Sequence, residues 1–143
     1  MKQKYIDLYM DWARRAADLS HARRLHVGAV IVKDDTVISY GYNGMPAGWD
    51  NNCEDEQWNV HDGDYTLKTK PEVLHAESNA VAKLARGHNS GVGADIFVTH
   101  APCLDCAKLI YQSGIERVYY DTPYRDNAGI EFLEKSGIEV NKL

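Results

Sequence analysis

Val27-Gly28-Ala29-Val30-Ile31-Val32, then Asp34-Asp35, then Thr36 to Tyr42, is the stretch on which the fold turns. A short apolar run rich in β-branched residues reads as a buried strand, the paired aspartates as a turn, and the third segment as the hairpin partner. Downstream the pattern becomes an alternation. Leu74 to Ala85 is Ala-rich and helical, with Gly87 as its stop. Ala94 to Thr99 reads as a strand, Cys103 to Gln112 as a helix, Arg117 to Tyr120 as a strand, Ala128 to Lys135 as a helix and Ile138 to Val140 as a last strand. Upstream, Tyr5, Ile6, Leu8, Tyr9, Trp12, Ala13, Ala16 and Leu19 recur at helical spacing across residues 3–19. A hairpin followed by alternating helices and strands predicts an α/β sandwich: a mixed sheet of about five strands covered by helices. Residues 1–143 read as a single domain.

Residues 49–70 break the pattern. They are rich in Asn, Asp, Glu and Lys and show little periodicity, so they read as one long loop with a short helix near Glu54–Asn59.

Composition narrows the partners. With 44% hydrophobic and 26% charged residues the chain has the usage of an ordinary globular protein. The net charge is -5 and the pI about 5.6. A protein that tracks a nucleic-acid backbone is usually basic, and the densest cluster here is Arg23-Arg24, suited to one phosphate monoester rather than to a polynucleotide. No apolar run reaches the length of a membrane span, and the N-terminus is amphipathic rather than a signal peptide. Three cysteines cannot all pair within the chain. The expected compartment is the cytoplasm, where a Cys-x-x-Cys pair binds metal or cycles redox state more often than it forms a structural disulfide.

Two motifs carry chemistry. In Pro102-Cys103-Leu104-Asp105-Cys106 the thiols stand three apart at a helix start, on one face, where the helix dipole favours thiolate. In His75-Ala76-Glu77 an imidazole is followed by a carboxylate at another helix start. One His and two Cys are three ligands zinc prefers, with a fourth position open, the pattern of catalytic rather than structural sites. Alone, the thiol pair is equally a redox couple and His75-x-Glu77 a solvated helix end; together they form the zinc nucleobase-deaminase signature.

On these residues, with Val27 to Val30, Gly41-Tyr42-Asn43-Gly44-Met45-Pro46, His75 to Ala80, Thr99 to Cys106 and Tyr120 to Arg125, the sequence resembles the cytidine deaminase superfamily. Within it, the likeness is to the short deoxycytidylate (dCMP) deaminases of bacteria and phages. The resemblance implies a three-layer α/β/α cytidine deaminase-like fold and one catalytic Zn2+ held by His75, Cys103 and Cys106. It also implies Glu77 as the proton shuttle and dCMP as substrate, deaminated to dUMP for thymidylate synthesis, with dCTP as a secondary substrate. Arg24 is expected at the 5′-phosphate, Asn43 at the sugar, and Ala76, Tyr120, Tyr124 and Arg125 around base and phosphate. Gly41, Tyr42, Asn43 and Gly44 are expected at a regulatory site for dCTP and dTTP, with Mg2+ accompanying the triphosphate. A homo-oligomer, commonly a hexamer, is implied as well.

Cys53 is left over. A second zinc involving it with His21, His26 and His61, and a free thiol in a polar loop, both stay open, and His88 and His100 receive no role. The rival substrates are cytidine, tRNA adenosine and a riboflavin precursor; the rival class is a structural zinc or redox module, which would need a fourth protein ligand and would tolerate loss of Glu77.

Overall fold

The computed structural model describes all 143 residues. Helix α1 (Gln3–Ala17) is followed by β1 (Gly28–Lys33) and β2 (Thr36–Tyr42), then by β3 (Glu54–Trp58) and β4 (Tyr65–Thr69). The chain continues with α2 (Ala76–Ala85), β5 (Asp95–His100), α3 (Leu104–Gln112), β6 (Arg117–Thr122), α4 (Ala128–Lys135) and β7 (Glu139–Lys142). Five strands form one mixed sheet in the order β2-β1-β5-β6-β7. β1 runs antiparallel to both neighbours, whereas β5, β6 and β7 are parallel.

The alternation of side chains along the central strands separates two cores. Ala29, Ile31, Ile96, Val98 and Val118 face the layer of α2, α3 and α4, where Ala76, Ala80, Leu84, Ala107, Ile110 and Leu133 meet them. Val30, Val32, Phe97 and Tyr119 face α1, meeting Tyr9, Met10 and Ala13. Phe97 stacks on Tyr119 with ring centroids 4.5 Å apart. Covered on both faces, β1 and β5 read as unbroken apolar runs, as buried central strands do. This is the three-layer α/β/α arrangement expected from the sequence.

The β1–β2 turn is made by Asp34 and Asp35 at φ 49° and 59°. Left-handed backbone at both central residues matches the twist of the flanking strands. The Tyr9 hydroxyl donates to Asp35 Oδ1 at 2.7 Å, tying α1 to that turn. Burial, then this bond, push the Tyr9 hydroxyl up to about 12.

The segment 49–70 departs from expectation. It is neither a loop nor a short helix but a second antiparallel hairpin, β3–β4, outside the main sheet. Its strands carry no apolar alternation because most of their side chains face solvent, so the two-residue period has nothing to mark it. The hairpin is held by its ladder and by Trp58 against Tyr65, directly opposed with centroids 4.8 Å apart. At its tip Asn59 Oδ1 accepts from the His61 amide, and the Asn59 amide donates to Asp64 at 2.7 Å.

Candidate active site

Two helix starts face one another. His75 and Cys103 are the N-cap residues of α2 and α3, in extended backbone, and neither side chain makes a capping hydrogen bond. They point at each other instead. His75 Nδ1 lies 3.5 Å from Cys103 Sγ and 3.3 Å from Cys106 Sγ. All three ligand atoms lie within 4.8 Å of one another, and this is the one group of three metal-competent side chains that the fold assembles. One imidazole nitrogen and two sulfurs form a donor set that zinc favours over harder cations, with room for a fourth ligand.

The electrostatics agree with that chemistry. Hydrogen bonds from Cys106 and His75 push the Cys103 thiol down, while the bond to Cys103, then burial, push the Cys106 thiol up. The Cys103 hydrogen bond raises His75. The cluster thus favours a thiolate beside a positive charge at the N-terminal ends of two helices, whose dipoles stabilise anionic sulfur. Glu77, in the first turn of α2 and 5% exposed, is pushed up to about 7, chiefly by burial. Its carboxyl is therefore poised to gain and lose a proton near neutrality.

Close backbone packing holds both helix starts. A Cβ at Gly41 in β2 would run into the Ala76 carbonyl and the Ala80 amide of α2. A Cβ at Gly129, in the first turn of α4, would run into the Pro102 carbonyl and the backbone of Cys103. Only glycine permits either approach.

The cluster opens into a cavity of about 600 Å³, within the usual size for a small-molecule site. His75, Ala76, Glu77 and Cys103 line one end, and Arg24, Asn43, Tyr124 and Arg125 line other parts of the wall. Arg23 and Arg24 have separate tasks. Arg23 is engaged by Asn52, Glu54 and Glu56, whereas the Arg24 guanidinium donates only to the Thr69 hydroxyl, at 3.0 Å. Arg125 sits over the Tyr124 ring, 5.6 Å from its centroid. Asn43 is anchored at both ends of its amide: Oδ1 accepts from the Val27 amide at 2.9 Å, and Nδ2 donates to the Leu25 carbonyl at 2.8 Å.

Four residues named from the resemblance lie outside the cavity wall. Tyr120 is in β6, as its strand was read, and packs partly buried against the larger core rather than lining the cavity. Gly41, Tyr42 and Gly44 also lie outside the cavity wall. Gly41 is pressed on α2, the Tyr42 carbonyl accepts from Asn79 Nδ2 at 2.9 Å, and Gly44 exchanges backbone hydrogen bonds with Leu74 just before the metal-side helix.

Conversely, three wall residues carried no signal in the sequence. His100, expected to have no role, lines the cavity with Nδ1 2.9 Å from the Thr99 hydroxyl, and burial pushes its pKa down. Of the two readings left open for Cys53, the structure has the free thiol: it stands in the polar segment just before β3, buried in the cavity wall with its thiol pushed up by burial, and no histidines gather with it into a second metal group. Glu54 lines the wall while only 1% exposed.

Residues 3–122 match the model of the cytidine and deoxycytidylate deaminase zinc-binding region, a span containing all three ligand positions. The chain belongs to the cytidine and deoxycytidylate deaminase family. Among relatives in that family, the deoxycytidylate deaminase of enterobacteria phage T2 is 36% identical over 148 residues, covering 80% of this chain and 79% of that protein. ComE operon protein 2 of Bacillus subtilis is 40% identical over 121 residues, covering 84% of this chain; the match spans 61% of that relative's length. The crystal structure of dCMP deaminase from the cyanophage S-TIM5, in complex with dCMP and dUMP, superposes with a TM-score of 0.89 at 40% identity. That superposition covers 100% of this chain and 99% of the cyanophage chain, and the deaminase architecture expected from the sequence is the one observed. No helix is long and apolar enough to cross a membrane.

Proposed function

We propose that this chain is a hydrolytic dCMP deaminase, converting dCMP and water to dUMP and ammonia. The observation that carries the reading is one cavity whose wall holds two unlike groups: His75 and Cys103 of the ligand cluster beside the buried Glu77, and Arg24, whose guanidinium is bonded only to a hydroxyl. The similarity to a cyanophage enzyme described with dCMP and dUMP supports the choice of substrate.

Zinc held by His75, Cys103 and Cys106 supplies a Lewis acid with an open position for water. Glu77 is the general base and then the general acid: it takes a proton from the attacking water and delivers it to N3 of the cytosine ring as C4 is attacked, then takes the proton of the hydroxyl now on C4 and passes it to the amine, which departs as ammonia while the C4 carbonyl forms. Its burial beside the ligands keeps that carboxyl out of bulk solvent, so the proton it takes stays in the site. Ala76, fully buried in the floor of the cavity, leaves room for a flat ring. Arg24 takes the 5′-phosphate through a charge-assisted, bidentate contact. Tyr124 and Arg125 close over base and phosphate. Asn43 reaches the sugar with the amide hydrogen and lone pair its two backbone bonds leave over.

Following ammonia release from dCMP, dCTP, cytidine and adenosine tests the reading. Turnover is expected to be fastest on dCMP and slower on dCTP; preference for a base without phosphate would overturn it. Regulation by dCTP with Mg2+ and by dTTP, through the segment Gly41 to Gly44, is the associated expectation. It is read in the same assay as activation and inhibition of initial rates, and sedimentation of the active enzyme reads its assembly into a homo-oligomer.

A further inference from the structure

The deaminase reading leaves one buried charge without a task. Glu54, at the start of β3, is 1% exposed, yet it is neither a metal ligand nor near the reacting ring in that reading. Its carboxylate is spent on backbone. Oε2 accepts from the Arg23 amide at 2.8 Å and from the Arg24 amide at 3.0 Å, and Oε1 lies 3.2 Å from the Arg23 amide. Arg23 Nε adds an ion contact at 3.7 Å. Burying a carboxylate is costly unless it is this fully bonded, and hydrogen bonds to a charged acceptor are the stronger kind.

The residue directly across the ladder from Glu54 is Thr69, whose hydroxyl accepts from Arg24 Nη1 at 3.0 Å. One cross-strand pair therefore holds Arg24 at both ends, its amide by Glu54 and its guanidinium by Thr69. All three residues line the cavity. Arg23, by contrast, is turned onto Asn52 and Glu56 and does not line the cavity. Of two adjacent arginines whose amides share one carboxylate, only Arg24 faces the cavity.

We infer that Glu54 and Thr69 are positioning residues that hold Arg24 ready for a phosphate monoester, making the β3–β4 hairpin the element that sets the preference for a nucleotide over a nucleoside. This rests on the dCMP reading. An arginine side chain free to rotate loses rotamer entropy when a ligand immobilises it; anchored at both ends before substrate arrives, it loses less.

The test is steady-state kinetics on dCMP with the zinc-loaded full chain, comparing wild type, Arg24→Ala, Glu54→Gln, Thr69→Val, Thr69→Ser and the Arg24→Ala/Glu54→Gln double variant, with zinc content and thermal melting recorded for each. Glu54→Gln is expected to raise KM about tenfold with kcat within about twofold, since it weakens bonds to a charged acceptor. Thr69→Val is expected to raise KM about threefold and Thr69→Ser to restore it, the neutral hydroxyl being the weaker anchor. In the Arg24→Ala background, Glu54→Gln should add less than about twofold, because the two act through one group. Wild-type KM in both Glu54→Gln and Thr69→Val, effects that multiply with Arg24→Ala, or a fall in kcat at constant KM would each overturn the inference. If Glu54→Gln fails to fold, the Thr69 pair decides alone, and wild-type KM in Thr69→Val overturns it. Failure of the underlying reading looks different: wild type then releases no ammonia from dCMP, or Arg24→Ala leaves KM unchanged.

Discussion

The two ends of the cavity are built in opposite ways. The metal end stands on α2 and α3, whose first turns are pressed backbone to backbone against β2 and α4 at Gly41 and Gly129. The arginine end stands on the β3–β4 hairpin, most of it solvated and anchored by one buried carboxylate. Rigid backbone suits an end that must present three ligands and a proton carrier with little error, because small displacements of reacting groups cost rate. A polar hairpin suits an end that must hold a charged, hydrated group.

That contrast can be broken at four points. In the proposed mechanism Glu77→Gln removes the proton carrier and keeps the ligands: kcat on dCMP should fall by about 10³–10⁴ with zinc content unchanged, measured by ammonia release and metal analysis. Arg24→Ala strikes the other end and should act on binding, raising KM about 10- to 100-fold while kcat changes little, the loss expected for a hydrogen-bonded charge. Gly129→Ala tests the rigid backbone itself. Overpacking against Pro102 and Cys103 should cost about 1–3 kcal/mol in a chemical denaturation curve and speed zinc loss to a chelator. The smallest effect lies at the β1–β2 turn. Because the Tyr9 hydroxyl is pushed up from 10.0 to about 12, the folded state prefers the neutral phenol. Its contribution is complete below pH 10 and is lost as pH rises through 12. Tyr9→Phe should therefore flatten the decline in urea midpoint over that window, and an unchanged slope would show that the bond to Asp35 is not coupled to folding.

The same contrast decides what the sequence disclosed. β1, β5 and their helices were legible because burial writes itself as apolar runs and apolar periodicity, and the metal end because two motifs, His75-x-Glu77 and Cys103-x-x-Cys106, each ambiguous alone, form a signature together. The hairpin was illegible for a physical reason. Glu54-Asp55-Glu56-Gln57-Trp58 has almost no buried side to alternate with, and the pairing of Glu54 with Thr69 spans a turn whose residues look like any polar loop. Glu54 itself was indistinguishable from its acidic neighbours until its carboxylate was seen against the Arg23 and Arg24 amides. Gly41 was noticed within a motif, but its contact with Ala76 joins distant parts of the chain, which no local pattern encodes.

The sheet order has a consequence for how the protein assembles. β1 closes first on β2 across a tight turn, but its other partner, β5, follows about seventy residues later along the chain at the Ala29–Val98 pair. His75 precedes β5 and both cysteines follow it, so in the folded chain the three ligands come together across the strand that makes the long-range pairing. Such pairings are the slow steps of folding. Ion-binding free energy, which is folding free energy where the site does not exist in the unfolded chain, is then gained on the far side of that step. Zinc would act as a latch on a finished topology rather than as a seed for it.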